Sequence, residues 1–143
     1  MKLVMCLVAL LLGVPLDAAP VPKELEKRPS LVGVWWLARC NETVHEDPAT
    51  SLRYTFRKDG SAGTQENAGA ESFEYTYTAD PSAMPPTLAM KYAGGNGGAG
   101  QFLAVYRLDS DSLRMVVCDA SNPKPTEVVA RDNELCYDFK RMK

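Results

Sequence analysis

The pattern that most restricts what this chain can fold into is a period of two, running almost unbroken from residue 32 to residue 142. Apolar and polar side chains alternate over 32–41, 53–58, 63–68, 71–78, 86–92, 101–108, 113–119 and 134–142, which predicts eight half-buried β-strands. Turn residues separate them: Lys58-Asp59-Gly60, Ala79-Asp80-Pro81, the run Gly94-Gly95-Asn96-Gly97-Gly98, and Asp109-Ser110-Asp111-Ser112. The expected fold class is therefore all-β, an antiparallel up-and-down barrel of about eight strands.

The two ends of the pattern indicate how such a sheet closes. Gly33-Val34-Trp35 opens the first strand, and Arg141 stands in the last. An indole face against a guanidinium is worth roughly 0.5 to 2 kcal/mol, depending on desolvation. With Trp35 inward, parity turns Leu37 and Arg39 inward too, and Val34, Trp36, Ala38 and Cys40 outward. Pairing Trp35 with Arg141 sets Leu37 opposite Phe139 and Arg39 opposite Tyr137 on the inside. The same register sets Cys40 opposite Cys136 on the outside and supports a disulfide there. Cys118, on the outer face of the preceding strand, makes Cys118–Cys136 the competing bridge. Three cysteines follow residue 19, so one is left over.

Residues 1–19 have the features of an export signal. Lys2 is followed by the apolar run 3–14 and by small residues before a cleavage site near Ala18 or Ala19. The run stops at Pro15 and Asp17, short of the ~20 residues a membrane span needs, so no span is expected after cleavage. The expected localisation is periplasmic or extracellular. Residues 20–30 form an N-terminal segment, in which Lys23-Glu24-Leu25-Glu26-Lys27 has room for a short helix before Pro29. Residues 31–143 are then one barrel domain, of a size that buries around two-thirds of its unfolded surface. The formal charge of −2 offers no basic stripe for nucleic acid and no polybasic membrane patch along the chain.

In an up-and-down barrel the long connections, after the first strand, at 93–100 and at 119–133, open on the end opposite Trp35. One sealed end and one loop-rich mouth suit a ligand entrance. The predicted lining there is aromatic, and Arg39, Tyr92, Tyr137 and Tyr77 are the candidate ligand-binding residues. Arg39 would fork onto the carboxylate or phosphate of an amphipathic ligand. Gly33, Trp35 and Arg141 are assigned a structural role in barrel closure. Outward Trp36 and the mouth loops are the alternative, a surface for a protein partner with the barrel filled.

Catalytic patterns are lacking. His45 is the one histidine, and Glu42, His45, Glu46 and Asp47 have the spacing of a solvated loop, so no metal or cofactor is expected. No Gly-x-Ser-x-Gly elbow exists, and the Gly-rich run 94–100 lacks the following Lys-Ser or Lys-Thr of a phosphate loop. The expectation is a binding module and not an enzyme.

Four ordered motifs carry a family resemblance. Leu31-Val32-Gly33-Val34-Trp35, Ala79-Asp80-Pro81-Ser82-Ala83-Met84-Pro85-Pro86-Thr87-Leu88, residues 104–113 (Ala-Val-Tyr-Arg-Leu-Asp-Ser-Asp-Ser-Leu) and Lys124-Pro125-Thr126-Glu127-Val128 resemble the signatures of a lipocalin-like family of small exported domains abundant in planctomycetes. Ala104 and Ser110 stand where that family has glycine, and Lys124 where it has arginine. The resemblance implies a lipocalin-like barrel and export, and it carries no activity with it.

Overall fold

In the computed structural model, residues 29–66, 69, 71–92, 100–131 and 134–143 are described. The export signal and the short-helix expectation for 20–28 lie outside them. Nine strands form one antiparallel sheet: β1 (Gly33–Cys40), β2 (Thr43–Val44), β3 (Arg53–Phe56), β4 (Ser61–Gln65), β5 (Glu71–Asp80), β6 (Thr87–Tyr92), β7 (Gly100–Leu108), β8 (Ser112–Asp119) and β9 (Leu135–Arg141). The order is β2-β1-β3-β4-β5-β6-β7-β8-β9, and β9 pairs back onto β1. Eight strands thus close a lipocalin-like barrel, with no helix among the described residues. The two-residue β2 hairpins back onto the mouth end of β1, a detail too short to show as alternation.

Closure occurs at Trp35, which pairs with Arg141 and is fully buried. The Arg141 guanidinium carbon lies 4.1 Å from the centroid of the Trp35 ring. Its nitrogens donate to three carbonyls, those of Ser30 at 2.6 Å, Ser110 at 2.9 Å and Val32 at 3.1 Å. Trp35 Nε1–H donates to the Leu31 carbonyl at 2.8 Å. The chain entering β1 is thereby tied to the chain leaving β9 and to the β7–β8 turn. Gly33 makes the approach feasible: its φ is +144°, and a Cβ there would stand 2.5 Å from Arg141 Nη1.

The inward face of the strands supplies the core: Leu37, Phe56, Leu88, Met90, Leu113, Met115 and Phe139 are all buried around Trp35. A second apolar layer lies outside the barrel wall. Val105, Val116 and Cys118 are buried although they face away from the barrel interior, because Pro125 and its neighbours cross over β7 and β8. This explains the unbroken apolar run Val116-Val117-Cys118, since a strand covered on both faces need not alternate. It also gives the Lys124-Pro125-Thr126 segment a packing role.

Turns follow a repeated chemistry, Asp-x-Ser. Asp59 accepts hydrogen bonds from the Ser61 amide at 2.9 Å and hydroxyl at 2.7 Å, and Asp80 from the Ser82 amide at 2.9 Å and hydroxyl at 2.6 Å. Asp119 accepts from the Ser121 amide at 2.8 Å. These bonds hold all three carboxyls below the usual carboxylate range.

The β1–β9 register holds at Trp35–Arg141 and Leu37–Phe139, then shifts by one residue between Leu37 and Arg39. A β-bulge at Ala38 places Arg39 opposite Asp138 and Cys40 opposite Tyr137. The expected pairs Arg39–Tyr137 and Cys40–Cys136 are therefore corrected. A straight strand would have pushed the Arg39 guanidinium into an apolar interior without a partner, a costly burial. The bulge puts it in solvent and takes a neutral thiol inside.

Gly33→Ala is expected to lower stability by roughly 2 kcal/mol, since a strained φ and displacement of Arg141 act together. Thermal melting should fall by about 10 °C, and an unchanged midpoint would contradict the closure described.

Candidate functional site

At the end away from Trp35 the barrel holds a cavity of about 270 Å³. Tyr54, Met90, Phe102, Met115, Val117 and Tyr137 form its walls, with Leu135, Asp119 and Asn122 at the entrance. Period-two alternation on β3, β6, β7, β8 and β9 aims these side chains inward, so the cavity is a direct product of strand parity. Its size is just below the usual range for small-molecule sites, which are mostly apolar with a few polar groups.

The aromatic rings interlock. Tyr54 meets Phe139 edge to face at 5.3 Å, lies 6.4 Å from Tyr75, and stacks at 6.1 Å with Phe56. Tyr75 meets Tyr92 at 5.9 Å, Tyr92 stacks on Phe102 at 5.7 Å, and Tyr137 lies 6.0 Å from Phe139. Each contact of this kind adds about 0.5 to 1.5 kcal/mol beyond area burial, so the wall is held rigid.

Burial, followed by the neighbouring Tyr75 and Tyr137 phenols, holds the Tyr54 hydroxyl far above its ordinary pKa. Tyr137 is raised mainly by burial, then by Cys40 and Tyr75. Tyr75 is raised by burial against a lowering hydrogen bond with Thr64. The Tyr54 and Tyr137 hydroxyls that line the cavity are thus neutral at pH 7, and the carboxylate of Asp119, at the end of β8, stands at the rim.

The expected site residues separate. Tyr137 lines the cavity. Tyr92 does not. Its ring lies across the backbone of Gly100, where any Cβ would collide with it. Tyr77 is nearer the sealed end, where its hydroxyl donates to the Arg57 carbonyl at 2.7 Å. Arg39 is exposed on the outer wall, so it holds no position from which to anchor a ligand in the cavity. Trp36 faces out, half-buried beneath Lys140, whose Nζ stands 5.6 Å from the ring centroid.

The cysteines Cys40, Cys118 and Cys136 are all free thiols. The bulge that turns Cys40 inward leaves Cys136 outward, which separates the expected pair. Cys118 is buried, its Sγ 3.6 Å from the Pro123 carbonyl, so the competing bridge is not formed either. Burial raises the pKa of each thiol, and for Cys136 this outweighs the lowering effect of Arg114.

Residues missed by sequence reasoning include Phe102 and Tyr106, both inward on β7. The alternation Phe102, Ala104, Tyr106, Leu108 was the signal that could have found them. Larger hollows exist as well. One of about 1020 Å³, lined by Arg57, Glu74, Thr76 and Lys91 among others, is wide open and charged. Another of about 520 Å³ lies at the sealed end beside Leu31, Tyr106 and Leu108. The smaller mouth cavity is the one whose walls come from five strands, β3, β6, β7, β8 and β9. No group of three or more His, Cys, Asp or Glu side chains close enough to hold a metal occurs among the described residues.

Comparisons with family models, curated proteins and solved structures found no match for this chain.

The raised tyrosines link stability to alkaline pH. Tyr54, Tyr75, Tyr77, Tyr106 and Tyr137 all have folded pKa values above the ordinary one near ~10. Their contribution is complete below that pH and is lost as pH rises through the folded values. Most of the phenolate absorbance at 295 nm should therefore appear together with unfolding; ionisation of all five in a barrel that remains folded would contradict it.

Proposed function

We propose that this chain is an exported, non-catalytic binding module that holds a small apolar or amphipathic molecule in the mouth of its barrel. The observation that carries this reading is the cavity of about 270 Å³ lined by Tyr54, Met90, Phe102, Met115, Val117 and Tyr137. Its walls are apolar with a few phenol hydroxyls, the composition of small-molecule sites. Absence of a charged side chain from these walls favours an uncharged ligand or the apolar end of an amphipathic one. Charge discrimination of this kind follows from the cost of burying an unpaired ion. The signal-like residues 1–19 and the resemblance to exported lipocalin-like domains support a periplasmic or extracellular location.

The test uses N-phenyl-1-naphthylamine, an uncharged dye that brightens on leaving water. Wild-type protein is expected to bind it, and Val117→Phe and Leu135→Trp, which fill the cavity and its entrance, to weaken binding by roughly tenfold or more. Circular dichroism checks that both variants stay folded. Equal binding by the filled variants, or none by the wild type, would overturn the reading.

A further inference from the structure

The outer face of β7, β8, β9 and β1 carries a row of charge that crosses four strands. Arg107 on β7 pairs in register with Arg114 on β8, Arg114 with Asp138 on β9, and Asp138 with Arg39 on β1. At about 4.8 Å between strands, the row runs roughly 14 Å around the barrel. Arg39 belongs to it only because the Ala38 bulge turns the side chain outward.

Asp138 is the one carboxylate in the row. It accepts two hydrogen bonds from Arg114, at 2.6 and 2.8 Å, and Arg114, Arg39 and Arg107 together hold its pKa below the carboxylate range. Three guanidiniums surround a single acid, and Arg39 and Arg107 are exposed. Lys140 and Arg53 add positive charge in the adjacent row across Trp36. Between Arg107, Arg114 and Lys140 lies a depression of about 140 Å³, over the small Ala38 side chain and with Ser112 at its edge. Two acids border the sealed end of this face and are already engaged: Asp109 accepts from the Ser112 hydroxyl at 3.3 Å, and Asp111 pairs with Lys143 at 3.6 Å.

We propose that this face binds a linear acidic polysaccharide, whose carboxylate groups are taken in succession by Arg107, Lys140 and Arg39. Guanidiniums suit this work because their fork matches a carboxylate edge. Three features favour a polysaccharide over other polyanions. The cations follow the hoop of a convex wall, along which a thread can wrap while a flat bilayer touches few of them. Lys140 covers the Trp36 ring, so bases of a single-stranded nucleic acid find no free aromatic face on which to stack. Neither β1 nor β9 has a free edge, and the one beside them, on β2, is two residues long, too short to hold an acidic peptide by strand addition. A semi-rigid sugar chain loses less conformational freedom on binding than a flexible peptide of equal charge.

The experiment measures binding of the full chain to oligogalacturonate by calorimetry at low salt, with (dT) oligonucleotide, anionic phospholipid vesicles and polyglutamate as competing arms. Oligogalacturonate should bind most tightly of the four, and its affinity should fall steeply as ionic strength rises. The double variant Arg39→Gln/Arg107→Gln, on exposed positions, is expected to weaken it roughly tenfold or more. Asp138→Asn, which frees Arg114 from its partner, should strengthen binding several-fold although it removes a salt bridge. That gain is a result a merely structural row would not give. Lys91→Gln, on the outward face of β6, should leave affinity unchanged. Tighter binding of any competing arm, no binding of oligogalacturonate, or wild-type affinity in the double variant would overturn the proposal.

Discussion

Contact between Trp35 and Arg141 is the constraint on which the barrel depends, because it turns a long antiparallel sheet into a closed one. The indole is fully buried beneath the guanidinium, and the guanidinium spends its hydrogen bonds on three carbonyls, two in the chain entering β1 and one in the β7–β8 turn. An open sheet would leave β1 and β9 as edges with unpaired backbone groups. Closure satisfies those groups and forces all inward side chains into one interior. The cavity at the far end is what that interior leaves unfilled.

The bulge at Ala38 is the second decision in the fold, and it sets the chemistry of both faces. One extra residue in β1 exchanges Arg39 for Cys40 at the inner wall. The interior then contains phenols, thioethers and a protonated thiol, all uncharged, while the outer wall gains the last cation of its row. In a low-dielectric barrel a single guanidinium would dominate the electrostatics of any ligand site. Moving it about one residue along the strand makes the inside neutral and the outside basic.

Much of this was legible from residue order alone. The eight strands, the Asp59, Asp80 and Asp109 turns, the Trp35–Arg141 pair and the inward placement of Leu37, Phe56, Met90, Met115 and Phe139 follow from alternation and turn chemistry. The candidate ligand residues were less so. Tyr137 lines the cavity, but Tyr77 is bonded to the Arg57 carbonyl and Tyr92 is laid over Gly100. Parity says which face a tyrosine is on. It does not say how far along the barrel axis its ring comes to rest, because strand tilt and stagger decide that.

By itself the sequence determined the all-β class, the direction in which most side chains point and the end at which the barrel closes, since each depends on local periodicity or on a single strong pairing. Tertiary structure alone decided the position of the bulge, the separation of Cys40 from Cys136 and the row of arginines on the outer wall. The reason is geometric. A slip of one residue between strands far apart in the chain reverses every later side chain, and its cost is set by partners, such as Asp138 for Arg39, that neighbours in sequence do not reveal.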